Sequence, residues 1–565
     1  MPRGADLALS SVAAPAALLA MALFAMAVHL DRGPASAGAV RSVMAGIHPD
    51  ARATLLGDRL FHLEPVLAAV IGGIVMALSG LIWLRRRPLV KAGELGRARR
   101  ARGRDLRELR GRRWFSAWMG RGNPAAAPQA RVRLGDHHRR PLWLPHDEHL
   151  LVLGPTGAGK SSALAIPAVL EWPGPVLVTD PKGELVRSTL AYRSKLGPSA
   201  VFAPLMEPTA RWNPVVSIQS SEDALRVATF LMGRAPDREP FWHDLARQLL
   251  HGLMVEASSS GWALGGVLEI LQTVPAEALA EVVDHPVARR LVLGALSGGD
   301  RTSMGVVATL VAQLGAYGSD QVASATSTND FDPGGIATGE LQTLYCVVAP
   351  HDAPVLRGLI SALISCCWRS LFADPPAVPA LFVLDEFTQL TSLPELPSLV
   401  QLGRSQGVRL MLMAQDLVSI SSTYGAEAAG ALWSNCRSKM LLPGISELEL
   451  LDRASKLAGL ATLHRRSEPG TREPVSAQPL LHPDDVRRLK PSQALVIRGG
   501  DQPAVIEQRR WFSDRRLTAM VAASGPAVAG PRPAPGRPLR DWTTPDSTCS
   551  AAARPLGWRR ADGEG

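Results

Sequence analysis

Short apolar runs recur along the middle of the chain and alternate with longer runs in which apolar residues repeat every three or four positions. Continuous short runs are typical of strands covered on both faces, and the longer spacing is typical of helices, as in Ala353–Leu371. The alternation predicts an α/β fold with a mostly parallel sheet and right-handed crossovers. The candidate strands are Leu150–Leu153, Val176–Thr179, Ala200–Ala203, Leu344–Val348, Leu381–Leu384, Leu410–Met413, Lys439–Leu442 and Ala494–Ile497.

The alternation stops between residues 217 and 300, where helical spacing continues and no strand pattern occurs. We therefore expect an all-helical domain, 217–300, inserted into an α/β domain that comprises residues 131–216 and 301–523. Residues 524–565 are rich in Pro, Ala, Gly and Arg without periodicity, which predicts a disordered tail. The candidate helices of the insertion are Ser221–Leu231, Trp242–Ala257, Ala263–Gln272, Ala276–Val283 and Val287–Leu296.

Two apolar runs near the N-terminus, at about residues 7–30 and 66–84, are long enough to cross a bilayer. The second ends in Trp83 and three arginines, which favours a membrane helix with a basic stop over a buried core helix. The first is either an uncleaved anchor or a signal peptide, and its apolar length favours the anchor. Residues 1–84 are therefore expected to form a membrane anchor with two transmembrane helices.

The basic charge of the chain is concentrated beside this anchor. The formal net charge is +10, and residues 85–113 hold 13 Lys/Arg and three acids, so this segment accounts for 13 − 3 = +10. It predicts a multi-pass protein of the cell membrane with residues 85–565 in the cytoplasm. Residues 85–130, a basic juxtamembrane segment and linker, suit contact with anionic lipid or, alternatively, with DNA. The rest of the chain has no net charge and indicates no basic DNA-binding face.

The most specific motif is a phosphate-binding loop, or P-loop, that follows the first candidate strand and opens a helix-compatible run. Its glycines let the backbone approach phosphate oxygens, and its N–H groups point at the anion. A chance glycine turn is the alternative, but the strand–loop–helix context favours ATP binding. The candidate nucleotide-binding residues are Gly154, Pro155, Thr156, Gly157, Ala158, Gly159, Lys160, Ser161 and Ser162.

A P-loop needs an acidic partner, and the candidate strand Leu381–Leu384 ends directly in Asp385 and Glu386. Asp385 fits a Mg²⁺ ligand together with Ser161, and Glu386 fits a base that polarises the attacking water. An ordinary strand end before a turn is the alternative. Lys160 is expected to reach the outer phosphates. The five cysteines have no metal spacing, so the sequence indicates neither a zinc site nor a disulfide framework.

Three further polar features lie at strand ends. Arg404 and Gln415 flank the apolar stretch Val408–Ala414, and a lone arginine such as Arg404 is more often a solvated helix end. The segment Asp180–Glu184 follows the second strand, at the edge where open α/β sheets bind ligands. A structural turn and a wall of the site are equally good interpretations of that segment.

These segments, taken in order, resemble the TraG-type coupling proteins of type IV secretion systems, the conjugative DNA-transfer ATPases. Each motif is weak alone, but the ordered set is specific and spans about residues 1–500. The matching segments are Gly154–Lys160, Asp180–Glu184, Trp212-Asn213-Pro214, Phe241-Trp242, Asn329–Asp332, Leu384–Phe387, Gly403–Gly407 with Gln415, Pro479-Leu480-Leu481 and Asp484–Arg487. The stretch Val132–Leu144 lacks the entry sequence usual in the family.

The resemblance implies a RecA-like P-loop NTPase domain and a helical insertion that receives a relaxase bound to single-stranded DNA. It implies a homohexameric ring at the inner face of the membrane, docked on the components of a membrane-embedded secretion channel. It implies ATP hydrolysis with Mg²⁺ by Lys160, Ser161, Asp385 and Glu386. It also implies that Arg404 reaches the nucleotide of the neighbouring subunit as an arginine finger, and that Gln415 senses phosphate.

Two other functions remain open from the sequence. One is an FtsK-like DNA translocase, which usually has more membrane spans and a terminal winged-helix DNA-binding domain. The other is a receptor that docks protein substrates onto a secretion channel and uses nucleotide only for assembly. The intact Glu386 argues for hydrolysis, because binding alone does not need a base.

Overall fold

One mixed sheet of eleven strands organises the computed structural model, which describes residues 98–109, 130–145, 147–207, 209–235, 240–464, 475–522 and 532–533. The strand order is β2-β1-β14-β13-β10-β3-β9-β8-β4-β7-β5, parallel from β10 to β5 and antiparallel from β2 to β10. The strands are β1 (Arg133–His137), β2 (Arg140–Trp143), β3 (Leu150–Leu153), β4 (Val176–Asp180), β5 (Ser199–Phe202), β6 (Met206–Glu207), β7 (Thr343–Val347), β8 (Ala380–Leu384), β9 (Val408–Ala414), β10 (Ser438–Leu441), β11 (Leu460–His464), β12 (Val475–Pro479), β13 (Gln493–Arg498), β14 (Ala504–Glu507) and β15 (Arg532–Pro533). β11 pairs with β12 and β15 with β6, both antiparallel.

The central strands are buried along their whole length, because helices cover both faces of the sheet. Alternate residues of β3 enter two different cores, Leu151 and Leu153 on one face and Leu150 and Val152 on the other. All eight predicted strands are confirmed to within two residues at each end, and the predicted α/β class with a mostly parallel sheet is confirmed. The four antiparallel strands at one side escaped prediction except for β13.

Helices connect the strands and fill the long segment between β6 and β7. The P-loop helix starts as a π-helical turn, Lys160–Ala165, and continues as α1. The helices are α1 (Ile166–Glu171), α2 (Glu184–Leu196), α3 (Ser221–Met232), α4 (Pro240–Ser260), α5 (Leu264–Thr273), α6 (Pro286–Ala295), α7 (Asp300–Leu314), α8 (Asp320–Ala325), α9 (Gly335–Thr338), α10 (Ala353–Ala373), α11 (Phe387–Leu390), α12 (Leu396–Leu402), α13 (Leu417–Tyr424), α14 (Ala426–Asn435), α15 (Leu448–Ala458), α16 (Pro483–Arg487) and α17 (Arg515–Ala522). Short 3₁₀ turns are Pro214–Ser217, Ala276–Ala278, Gly315–Gly318 and Trp511–Ser513.

The described residues between β6 and β7 contain helices and no strand, as the sequence pattern predicts. The helical run does not stop at residue 300, since α7, α8 and α9 continue it to Thr338. One predicted helix, Ala276–Val283, is wrong: only the 3₁₀ turn Ala276–Ala278 forms there, followed by irregular chain. The adjacent β-branched residues Val282 and Val283 are poor helix formers, and Val283 is buried in the core instead. The division of the chain into domains stays a prediction.

Among the described residues, one helix is long and apolar enough to cross a bilayer. It is α10, and 61% of its most apolar window is buried. This helix connects β7 to β8 and its buried residues, such as Leu359 and Leu363, belong to the core on one face of the sheet. We therefore assign it to the core. The predicted membrane spans at 7–30 and 66–84 lie outside the described residues, as does the tail apart from β15.

Residues 98–109, from the predicted juxtamembrane segment, pack against the antiparallel side of the sheet. Leu106 and Leu109 are 2% and 3% exposed and lie in the same core as β1 and β2. The backbone carbonyl of Leu109 accepts a hydrogen bond from Trp143 at 2.7 Å. Glu108 forms an ion pair of 2.7 Å with Arg498. The segment next to the predicted anchor is thus attached firmly to the sheet.

Candidate nucleotide-binding site

The P-loop joins β3 to the helix that begins at Lys160. Gly157 and Gly159 have φ values of +82° and +106°, in the left-handed region that favours glycine. A Cβ atom at Gly159 would also lie 2.5 Å from Oε1 of Gln508, so that this side chain would have to move. The two positive φ values let the loop curl tightly around the helix N-terminus, where backbone N–H groups converge.

A cavity of about 190 Å³ opens at this loop and collects residues from three strand ends. It is lined by Thr156, Gly157, Gly159, Lys160, Ser161 and Ser162 of the P-loop, by Pro181, Lys182 and Glu184 after β4, and by Asp385 and Glu386 after β8. The other three predicted loop residues, Gly154, Pro155 and Ala158, do not line it. The carboxyl ends of the parallel strands meet at this edge, as expected for a ligand site in an open α/β sheet.

Lys160 is held in the centre of the cavity by oxygen atoms on two sides. Its Nζ donates to the carbonyl of Gly154 at 2.7 Å and lies 3.1 Å from Oε1 of Glu386. The residue is only 6% exposed. A buried cation of this kind can exchange its carboxylate partner for a phosphate oxygen without leaving the site.

Asp385 and Ser161 face each other across the cavity with the donor set that suits Mg²⁺. Their Oδ2 and Oγ atoms are 3.3 Å apart, and Oδ1 of Asp385 is buried without a hydrogen-bond partner in the described part of the chain. Carboxylate and hydroxyl oxygens are ligands that Mg²⁺ accepts, alongside phosphate and water. Burial and the charge of Glu386 raise the pKa of Asp385 to about 7, against the opposing effect of Lys160. A divalent cation would stabilise the ionised carboxylate.

Glu386 has a strained backbone that directs its carboxylate towards Lys160. Its φ of +47° is one of three positive values at non-glycine residues in the described ranges. Such a conformation costs on the order of 1 kcal/mol and is concentrated at functional sites. Glu386 is 7% exposed, and its Oε2 has no hydrogen-bond partner among the described residues. One oxygen therefore holds Lys160 while the other is available to accept a proton.

The segment after β4 forms a rigid wall of the cavity. The fully buried Asp180 accepts backbone hydrogen bonds from Lys182, Glu184 and Val186 at 3.2, 3.1 and 2.9 Å. The hydroxyl of Thr179 donates to the backbone carbonyl of Asp385 at 2.9 Å, which joins this wall to the end of β8. Of the two interpretations left open by the sequence, the structure favours a wall of the cavity.

Arg404 lies at the opposite edge of the sheet from the cavity. It precedes the N-terminal end of β9, and the seven-residue strand separates it from the ligand edge by about 20 Å at ~3.3 Å per residue. Its side chain is 62% exposed and its nearest carboxylate is Asp147, at 3.7 Å. Arg404 cannot reach the cavity of its own chain. This exposed position just after α12 fits a solvated helix end, and the predicted role in a neighbouring subunit stays a prediction.

Gln415 lies at the ligand edge, directly after β9. The preceding Ala414 accepts a hydrogen bond of 3.2 Å from the backbone N–H of Gly154, so the two strand ends are fixed side by side. Gln415 is half-buried and does not line the cavity. It is placed between the P-loop strand and the strand of Asp385, where a phosphate sensor is expected.

Two further motifs of the resemblance meet where the chain passes between the sheet and the helical segment. Arg211 pairs with Asp330, with Nη2 and Oδ1 at 2.8 Å, and the backbone N–H of Asn213 donates to Asn329 at 2.8 Å. The two crossing segments thus run beside each other. A cavity of about 730 Å³ at this crossing is lined in part by Trp212.

The chain matches the family of the Type IV secretory system Conjugative DNA transfer proteins over residues 109–529, well over half its length. The chain belongs to this family. The resemblance inferred from the ordered motifs is thereby confirmed, and with it the assignment to the coupling proteins.

The relatives that the chain resembles include VirD4 and TraG proteins. The chain is 27% identical to the protein VirD4 of Agrobacterium fabrum over 83% of this chain and 74% of that protein. It is 27% identical to the VirD4 protein of Rhizobium rhizogenes over 69% of this chain, and the match spans 63% of that relative's length. It is 25% identical to the conjugal transfer protein TraG of Escherichia coli, over 68% and 71%.

The fold resembles that of a solved coupling protein of the family. The plasmid coupling protein TrwB in complex with the ATP analogue ADPNP superposes with a TM-score of 0.54 at 20% identity, over 74% of this chain and 95% of that one. TrwB in complex with ADP and Mg²⁺ superposes with a TM-score of 0.53 at 19% identity. The predicted α/β fold with a helical segment is thus shared with this solved coupling protein.

Two contributions come from outside the predicted nucleotide-binding residues. Lys182 and Glu184 line the cavity, and their place at the carboxyl end of a strand is the sequence signal that favours this position. Gln508 approaches Gly159 from a position more than 300 residues later in the chain. No pattern in the sequence indicates that contact, because it depends on the order of β13 and β14 in the sheet.

Proposed function

We propose that this protein is a membrane-anchored ATPase that couples a relaxase–DNA substrate to a type IV secretion channel and drives DNA translocation by ATP hydrolysis. The observation that carries the proposal is the convergence of Lys160, Ser161, Asp385 and Glu386 on one cavity at the carboxyl edge of the sheet. A site for binding alone needs a P-loop. The buried Glu386 beside Lys160 is the group that hydrolysis adds.

Each of these residues has a distinct task. The P-loop N–H groups and Lys160 bind the phosphates, with Lys160 transferring its contact from Glu386 to a phosphate oxygen. Ser161 and Asp385 hold Mg²⁺, which neutralises charge on the outer phosphates. Glu386 then accepts a proton from a water molecule through its unpaired Oε2. Gln415, fixed beside the P-loop strand, responds to the terminal phosphate.

Hydrolysis is completed by a second copy of the chain. Arg404 lies about 20 Å from its own cavity and is exposed, so its contribution is made to the nucleotide of a neighbouring subunit. A closed ring in which every subunit supplies Arg404 to the next is heterologous and cyclic. We propose a homohexamer, in which hydrolysis depends on assembly.

The location follows from the two apolar runs before residue 85 and the basic segment after them. We propose a multi-pass protein of the inner membrane with residues 85–565 in the cytoplasm. Residues 98–109, which follow this basic segment's start, pack on the sheet. Its partners are single-stranded DNA with its relaxase and the membrane components of the channel.

ATP turnover by the purified full-length chain, with and without single-stranded DNA, tests the proposal. We expect DNA to raise turnover, and Lys160→Ala to abolish it. Turnover that ignores DNA and rises with a secreted protein would instead indicate a receptor for protein substrates. Turnover that survives Lys160→Ala would refute the site itself.

A further inference from the structure

Lys182 is the exposed residue of a loop that is otherwise buried. Pro181 and Gly183 on either side of it are buried, whereas Lys182 itself is exposed and lines the nucleotide cavity. Within the described residues no carboxylate forms an ion pair with it. Lys160, in contrast, is already paired with Glu386. Lys182 is therefore the cation of this cavity that has no internal counter-ion.

The loop that carries Lys182 is fixed before any ligand arrives. Asp180 accepts three backbone N–H groups, and Gly183 adopts a φ of +67°, where an added Cβ would lie 2.9 Å from the side chain of Arg187. These bonds also occupy the N-terminus of α2, so its backbone does not offer an anion site. Pro181, Lys182 and Glu184 of this segment line the cavity, and Lys182 is the one cation among them.

The alternative interpretation is that Lys182 is a solvated surface lysine that contacts no ligand. Two observations favour a ligand contact. The hydroxyl of Thr179, in β4, donates a hydrogen bond of 2.9 Å to the backbone carbonyl of Asp385, which fixes the start of the loop beside the end of β8. Three carboxylates, Glu184, Asp385 and Glu386, also line the cavity, and the single positive charge of Lys160 does not balance them. Even with its Mg²⁺ ion, a bound triphosphate keeps negative charge, which favours a further cation at this wall.

The order of the strands indicates which phosphate Lys182 contacts. At the ligand edge the sheet runs β3, β9, β8, β4, so the P-loop and the Lys182 loop lie on opposite sides of Glu386. The P-loop binds the inner phosphates through its backbone N–H groups. A phosphate that lies between Glu386 and Lys182 is the outermost one, the group that hydrolysis removes.

We propose that Lys182 is a second phosphate-binding lysine that contacts the terminal phosphate of ATP and distinguishes ATP from ADP. The proposal rests on the proposed function, since it needs a nucleotide in this cavity. Asp180 acts as a positioning residue, because its three backbone bonds set the direction of Lys182.

The test measures the affinity of the full-length chain in detergent for Mg²⁺–ADPNP and for Mg²⁺–ADP. For Lys182→Ala we expect the Kd for ADPNP to rise about tenfold to hundredfold, as for loss of one charged hydrogen bond, and the Kd for ADP to stay within about twofold. Lys182→Arg, which keeps the charge, should retain most of the affinity for ADPNP. Asp180→Asn should reproduce the selective loss in part.

Two controls separate this inference from the proposed function. Lys195→Ala removes an exposed lysine from the far end of α2 and should change neither affinity. Lys160→Ala should weaken both ligands, and if it weakens neither, the nucleotide site itself is wrong. If Lys160→Ala acts as expected while Lys182→Ala leaves both affinities unchanged, or weakens both equally, the role of Lys182 is refuted and the site stands.

Discussion

Nζ of Lys160 lies 3.1 Å from Oε1 of Glu386, and both side chains are buried. The lysine proposed to bind phosphate is therefore paired with the carboxylate proposed to activate water. On this proposal an incoming phosphate competes with Glu386 for the same cation, so that phosphate binding and release of the base become one event. Such coupling would keep the site from activating water before the nucleotide is in place.

Replacement of Glu386 by Gln should separate binding from hydrolysis. The neutral amide competes less well for Lys160, so we expect ATP to bind more tightly than in the unmodified protein. Hydrolysis should fall by about a hundredfold or more, because the group that accepts the proton is gone. Equilibrium binding of ADPNP and steady-state phosphate release measure the two effects. A variant that binds ADPNP more weakly would contradict the competition between phosphate and Glu386.

Arg404→Ala should remove turnover and leave nucleotide binding intact, since Arg404 lies at the far edge of its own sheet. Loss of an arginine finger lowers turnover by about a thousandfold. Arg453→Ala is the matched control, because Arg453 is a partly exposed arginine that forms its salt bridge with Glu449 of the same helix, α15.

Mixing subunits tests whether the arginine acts between chains. Arg404→Ala and Lys160→Ala are each inactive, but a mixed ring contains interfaces with an intact cavity and an intact arginine. We expect partial turnover from the mixture and none from either variant alone. A mixture that stays fully inactive, although it assembles, would place Arg404 outside the neighbouring site.

His149 should make stability depend on pH in acid. Burial, together with the charges of Arg409 and Arg404, lowers its pKa to about 4, and its Nδ1 accepts the backbone N–H of Leu410 at 3.0 Å. The neutral ring is favoured in the folded state, so this contribution is complete above pH ~6.5. It is lost as the pH falls from ~6.5 through about 4, to an extent of about 3 kcal/mol.

The difference in melting temperature between the unmodified protein and His149→Gln isolates that contribution. The difference should shrink steadily between pH 6.5 and pH 4, because glutamine does not titrate and the other groups cancel. A difference that is constant over this range would show that His149 is not held neutral.

The residue at which a fragment of the chain begins should determine its thermal stability. Leu106 and Leu109 are buried against the sheet, and burial of each leucine contributes about 1.5–3 kcal/mol. We expect a fragment of residues 95–522 to melt several degrees above a fragment of residues 130–522. Glu108→Gln in the longer fragment, at a residue whose side chain is 71% exposed, should have a small effect. Equal melting temperatures for the two fragments would contradict the packing.

Much of the parallel part of the sheet was predictable from sequence because its strands are buried on both faces. β3 and β8 are continuous apolar runs. The residues that directly follow them, Gly154 and Asp385, begin the P-loop and the acidic pair. Of the four antiparallel strands, β1, β2 and β14 were not predictable. β1 contains Gly135 and ends at a turn, and β14 has four residues, two of them partly or fully exposed.

The features of the candidate site also divide into those that local sequence patterns predict and those that depend on the tertiary structure. The P-loop and Asp385-Glu386 are local patterns, and the structure brings them together. The positive φ of Glu386 and its pairing with Lys160 depend on the tertiary arrangement and have no local signal. The wall made by Lys182 is intermediate, because its place after a strand suggested the ligand edge, whereas its position beside Asp385 depends on the pairing of β4 with β8.

The most direct measurement of the central claim is the frequency of DNA transfer from donor cells in which this chain is the sole coupling protein. The unmodified chain should support transfer. Glu386→Gln, at equal expression and with nucleotide binding intact, should lower the frequency by at least about a thousandfold, because translocation draws on hydrolysis at this cavity. Transfer at an unchanged frequency with Glu386→Gln would contradict the account.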